Sequence, residues 1–112
     1  YAITITLRDA PTLPPQPERA PYQPADLGGG PRWYAGDFHV HSRESGDASP
    51  SLDVIAELAR ARGLDFVVVT DHNTLTHLDF FVDAQARHPD LLLIPGTEFT
   101  TYAGHMNAIG AT

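Results

Sequence analysis

The run Leu64-Asp65-Phe66-Val67-Val68-Val69-Thr70-Asp71-His72-Asn73 decides how this chain folds. Phe66 to Val69 is an unbroken apolar stretch, three of its four residues β-branched. On a strand, successive side chains point to opposite faces, so a strand with one wet face would alternate. A continuous apolar run bounded by polar residues fits a strand covered on both faces, as in the parallel sheets of α/β proteins. The run then ends in four polar residues, two of which, Asp71 and His72, are competent to bind a metal.

Working outward, helix patterns lie on both sides. Ser49-Pro50 is a helix start, with Ser as N-cap and Pro at the first helical position. Leu52, Ile55, Ala56 and Ala59 follow as an apolar stripe, and Gly63 stops the helix. A second helix is expected over Thr76 to His88, with Leu78, Phe81 and Val82 facing inward and Pro89 closing it. Leu91 to Ile94 makes a third buried strand, and Met106 to Ile109 begins a fourth. Before the first helix, Asp37-Phe38-His39-Val40-His41 alternates, placing Phe38 and Val40 on one face and His39 and His41 on the other. The β-α-β-α-β order predicts an α/β fold with parallel strands and right-handed crossovers. Barrel and open sheet remain equally open on this pattern.

Residues 8–32 differ in kind. Pro11, Pro14, Pro15, Pro17, Pro21 and Pro24 lead into Gly28-Gly29-Gly30-Pro31, the composition of an extended linker or of a surface segment packed on the domain that starts near Trp33. Residues 1–7 alternate like the terminal strand of an upstream β unit. With Tyr1 at the start, this suggests a processed or partial chain from an exported protein.

Composition narrows the partners. At 42% hydrophobic and 19% charged residues the chain is globular in type. A net charge of −7 without any Lys- or Arg-rich stretch argues against nucleic acid or an anionic membrane surface. No apolar run approaches the roughly 18 residues of a membrane span. The absence of Cys excludes thiolate metal sites and disulfides.

The polar residues cluster where the predicted strands end: His39 and His41, then Asp71, His72 and Asn73, then Glu98 after Gly96-Thr97, with His105 shortly after. Sites in parallel α/β folds assemble at the carboxyl ends of strands. His-x-His on a strand sets two imidazoles on one face about 6 to 7 Å apart, close enough to share an ion. A Glu on the next strand can offer one oxygen to each of two ions. Nitrogen and oxygen donors without sulfur suit Zn²⁺, Mn²⁺ or Fe. Taken singly, each residue has a plainer reading: a loop His, a turn Asp, a Glu paired with an Arg. Taken together, in register with strand ends, they point to a metal site. His77 and His88, away from the strand ends, read as surface residues, and Asp53 reads as favourable near the positive end of the first helix.

Gly36-Asp37-Phe38-His39-Val40-His41-Ser42, Val69-Thr70-Asp71-His72-Asn73 and Pro95-Gly96-Thr97-Glu98 resemble the first three motifs of the PHP (polymerase and histidinol phosphatase) metallohydrolases. Gly104-His105-Met106-Asn107-Ala108 is similar to the carbaryl-hydrolase-like branch of that family. The resemblance spans about residues 33–112. It implies the N-terminal part of a distorted (β/α)7 TIM-like barrel with two or three divalent ions. By that analogy His39 and His41 bind one ion with Glu98, Glu98 bridges to a second held by His105, and Asp47 binds a third with His72. Asp47 enters on the resemblance alone. The family's later ligands have no counterpart before Thr112, so the rest of the barrel would come from a further segment or fragment.

The function expected is hydrolysis of a small anionic substrate by metal-activated water, phosphate esters first and carbamates, esters or amides second. Asp71 and Asn73 are expected to orient the ligands, and Arg43 to contact the substrate. A non-catalytic metal-binding module is the rival, though ions used only for structure usually sit in closed four-ligand sites. A polymerase-associated proofreading role fits poorly with the acidic charge.

Overall fold

The computed structural model describes residues 2–7, 9–10 and 18–112. Four strands form one sheet in sequential order: β1 (Gly36–Val40), β2 (Phe66–His72), β3 (Leu92–Thr101) and β4 (Gly104–Ile109). The first three run parallel, as expected, with α1 (Leu52–Ala61) and α2 (Leu78–Arg87) as crossovers. β4 folds back on β3 as an antiparallel hairpin partner. Among the described residues, no helix is long and apolar enough to cross a membrane.

The helices pack on one face of the sheet. Leu52, Ile55, Ala56 and Ala59 of α1 and Phe81 and Ala84 of α2 bury against Val67, Val69, Leu91 and Leu93. Gln85, buried beneath the turn into β3, donates to the carbonyls of His88 and Leu91 and accepts from the Leu93 N–H, so the turn is internally satisfied. Part of the Pro/Gly-rich leader packs on this domain. Tyr22 lies edge-on to Phe81 at 5.7 Å and donates to the Leu93 carbonyl, while Arg19 pairs with Asp79 and Arg32 with Asp65. Residues 2–7 are exposed and join no strand of the sheet. Tyr1, Arg8 and residues 11–17, with the leader's first prolines, lie outside the described residues.

Four local expectations need correction. α1 is capped by Ser51, whose hydroxyl accepts from the Val54 N–H at 3.3 Å. Ser49 is not the cap, because the Pro50 carbonyl is engaged by the Arg43 N–H at 2.9 Å and the helix starts beyond it. β3 continues to Thr101, well past the Ile94 expected from the apolar run, so Glu98 stands inside a strand, and Pro95 and Gly96 both pair with β2. Phe38 and Val40 do not share a face. A register shift sets two residues, Phe38 and His39, against Val68 alone, so Phe38 packs on Phe66 while Val40 joins the helix-side core.

The fourth correction concerns His77 and His88, which are buried rather than superficial. His88 Nε2 lies 3.0 Å from Asp53 Oδ1, beside the bidentate Arg87–Asp53 pair that ties the end of α2 to the start of α1. His77 sits fully buried 3.0 Å from Asp71.

The β2–β3–β4 register carries the functional side chains. Thr70 aligns with Gly96 and His72 with Glu98, while Glu98 aligns with Asn107 and Thr100 with His105. Gly96 is required by close approach: a Cβ there would lie 2.8 Å from the Ala108 carbonyl oxygen, a backbone atom that cannot turn aside. We predict that Gly96→Ala pushes β4 off β3 and lowers stability by about 1–3 kcal/mol, read as a lower denaturation midpoint at unchanged m-value.

Candidate metal centre

The sheet face opposite the helices gathers the ligand candidates at one end. Alternation on β2 and β3 puts Thr70, His72, Glu98 and Thr100 on that face, and the β1 bulge turns His39 onto it. His41 follows directly after β1. Asp47 is delivered by a short loop whose turn, Arg43–Ser45, is capped by Ser42 and ends at Gly46 in the left-handed region, φ +86°.

Glu98 is the centre of the group. Its carboxylate, almost fully buried, lies 2.8 Å from His105 Nδ1, 2.9 Å from His72 Nδ1, 3.0 Å from His41 Nε2 and 3.8 Å from His39 Nε2. Asp47 faces His41 Nδ1 at 3.1 Å and His72 Nε2 at 3.3 Å. The imidazoles stand nearly edge to face, with centroids 4.9 Å apart for His39–His41, 4.4 Å for His41–His72 and 5.3 Å for His72–His105. All six ligand candidates therefore meet at one end of the sheet.

Burial pushes the Glu98 carboxyl up, but the hydrogen bond with His105 and the charges of His39, His72 and His105 outweigh it, leaving a net downward shift. Asp47 is held down at about 2, chiefly by the Ser45 hydroxyl and then by His41. Both carboxylates are ready as anionic donors.

The donors form three overlapping groups, each with ligand atoms close enough for one ion: His39, His41 and Glu98; His41, Asp47 and His72; His72, Glu98 and His105. Two buried atoms, His41 Nε2 and Glu98 Oε2, face each other at 3.0 Å yet neither has a hydrogen-bond partner. Buried polar atoms left unsatisfied are costly, and a shared cation would satisfy both. The residues present thus fit divalent cations.

A supporting layer surrounds the donors. Asn73, at φ +48°, donates from its amide to the Thr100 carbonyl and accepts from the Thr100 N–H, clamping the ends of β2 and β3 together. The Thr100 hydroxyl in turn meets His72 Nδ1. Asp71 points to the helix side, where it accepts from the Ser42 N–H and hydroxyl, each at 2.6 Å. Burial raises its pKa, and the bonds from His77 and Ser42 more than offset that.

Arg43 turns elsewhere. Its guanidinium lies 5.9 Å from the Phe80 ring and 3.2 Å from Glu44, in a groove shared with Leu52, Asp53 and Arg87 that contains none of the six donors. That placement gives no support to the expected substrate contact.

Sequence reasoning passed over Thr70 and Asn107. Both meet His39 Nδ1, at 2.8 and 3.0 Å, leaving Nε2 aimed at Glu98. Asn107 carried a usable signal, since it sits two residues after His105 on a strand and so shares its face.

Comparisons with known proteins agree with this geometry. The PHP domain family matches residues 37–109, more than half of the chain. A solved two-domain protein from Bacteroides vulgatus, containing a predicted PHP-like metal-dependent phosphoesterase, is 30% identical at a TM-score of 0.57 over 69% of this chain. A protein from Bifidobacterium adolescentis, likewise thought to be a metal-dependent phosphoesterase, is 26% identical at a TM-score of 0.52 over 70%. The chain spans only about a quarter of each, 26% and 27%. No curated protein matches it. On its motifs, its sheet and the match across residues 37–109, the chain belongs to the PHP domain family.

Proposed function

We propose that this chain is the N-terminal part of a metal-dependent phosphoesterase in which His39, His41, Asp47, His72, Glu98 and His105 hold two or three divalent cations. One observation carries the reading: three donor groups overlap through His41, His72 and Glu98, and two of them share the buried Glu98 carboxylate. The nitrogen and oxygen donor set suits Zn²⁺, Mn²⁺ or Fe. When bound, such ions acidify water toward neutrality and offset negative charge on the attacked group.

The chain's own residues supply the scaffold for that chemistry. Glu98 would offer a donor to two of the positions, with Oε1 beside His105 and Oε2 beside His41 and His72. Thr70 and Asn107 hold one nitrogen of His39 so that the other faces inward. Asn73 and Thr100 do the same for His72 through the β2–β3 clamp. The half-exposed rims of His39, Asp47 and His105 leave the group open to a small anionic substrate. Further strands would complete a (β/α)7 barrel, in keeping with the greater length of the solved relatives.

Phosphate esters are the first substrate class, in line with what the solved relatives are thought to hydrolyse. The Gly104–Ala108 motif keeps carbamates and esters as the second, through its likeness to the carbaryl-hydrolase-like branch. With Mn²⁺ or Zn²⁺ supplied to the full-length protein, 4-nitrophenyl phosphate should be turned over and a naphthyl carbamate or nitrophenyl ester should not. Glu98→Gln should lower kcat/KM on the phosphate by roughly 10³ or more, about 4 kcal/mol of transition-state stabilisation. Unchanged turnover in Glu98→Gln removes the reading, and turnover of the carbamate alone reassigns the substrate class.

The depressed Asp47 pKa makes a separate prediction. Its folded value lies below the unfolded value of about 4, so its contacts favour the folded state above that pH. That contribution fades as pH falls toward 2. In the metal-free protein, Ser45→Ala should move the Asp47 carboxyl titration upward, measured by ¹³C NMR; an unmoved titration contradicts the hydroxyl as cause.

A further inference from the structure

Outside the donor set, one buried polar cluster remains without an assigned purpose. His77, Asp71 and Ser42 are each 0–1% exposed. His77 Nδ1 lies 3.0 Å from Asp71 Oδ2, the oxygen that also accepts from the Ser42 hydroxyl at 2.6 Å, and Asp71 Oδ1 accepts from the Ser42 N–H. His77 directly precedes α2 but does not cap it with its side chain. Stability alone explains the trio poorly, because the two buried His77 nitrogens have no hydrogen-bond partner, and an apolar side chain of similar volume would avoid that cost.

The hydrogen bonds lead from this trio to the metal cluster. The Ser42 hydroxyl accepts from the Glu44 N–H at 3.2 Å and its carbonyl from the Ser45 N–H at 3.0 Å, shaping the Arg43–Ser45 turn. The Ser45 hydroxyl accepts from the backbone N–H of His72 at 3.1 Å and stands near the Asp47 carboxylate, whose pKa it lowers. The chain of contacts therefore runs from His77 through Asp71 and Ser42 to the two donors, Asp47 and His72, that share one group with His41.

We propose that His77 is a positioning residue for the His41–Asp47–His72 cation position, acting through Asp71 and Ser42 on the loop that presents Asp47. This rests on the metal reading above. With the His77 ring packed 3.0 Å from it, Asp71 is held toward Ser42 and the turn has one geometry. Without it, Asp71 can rotate away, and Asp47, half exposed on its loop, is no longer fixed opposite His41 and His72.

The test is Mn²⁺ binding to the full-length protein by isothermal titration calorimetry, with metal content after gel filtration as a second measure. His77→Leu should weaken one equivalent by about 10- to 100-fold, the usual size of an outer-layer effect, and leave the others unchanged. Asp47→Ala should weaken that same equivalent. His77→Asn, which keeps a donor near the Nδ1 position, should restore most of the affinity. Ser42→Ala cuts the path at a different point and should repeat the selective loss even if His77→Leu does not fold. Wild-type affinity at every equivalent in either His77→Leu or Ser42→Ala, or uniform weakening at all of them, overturns the proposal. A wild-type protein that takes up no Mn²⁺ or Zn²⁺ overturns the metal reading itself, and the proposal falls with it.

Discussion

The structure turns on one buried carboxylate. Glu98 is drawn toward four imidazoles from three directions, and the β2–β3–β4 register is what keeps it there. Moving β3 by a single residue relative to β2 would send Glu98 to the helix side, into a layer of Leu, Val and Phe that cannot solvate it. The apolar core and the polar cluster therefore enforce the same alignment from opposite faces of one sheet. The core fixes which residues face the helices, and the cluster occupies what is left at the carboxyl ends.

This arrangement carries an energetic tension. A buried carboxylate among four imidazoles is not what burial would select, and the unsatisfied atoms His41 Nε2 and Glu98 Oε2 record the cost. Cations that bind the folded chain and not the unfolded one would offset that cost by mass action, so stability and metal supply are linked. The surrounding hydrogen bonds from Thr70, Thr100, Asn73 and Asn107 hold the rings in place before any ion arrives.

The amount legible in the sequence followed from how local each signal was. The Phe66–Val69 run, the helix stripe of Leu52, Ile55, Ala56 and Ala59 and the His-x-His spacing are carried by neighbouring residues, and all recur in the structure. Asp47 was not readable from pattern, because a loop Asp six residues past His41 has no periodicity; only family resemblance singled it out. His77 looked superficial because helix pattern alone says nothing about a strand residue across the crossover, and Asp71 is the partner that draws it inside. The β4 direction and the long β3 depend on pairing between segments, which no single stretch of sequence states.

The bulge in β1 has a consequence for how ligands approach an ion. On a regular strand, residues two apart project side chains nearly parallel, so a pair of imidazoles would present their lone pairs along almost the same line. Bulges bend and over-twist the chain, and here the His39 and His41 rings stand at 89° to each other. The two rings thus come to Glu98 from different angles, His39 Nε2 at 3.8 Å and His41 Nε2 at 3.0 Å, so one short stretch of chain surrounds the carboxylate on two sides.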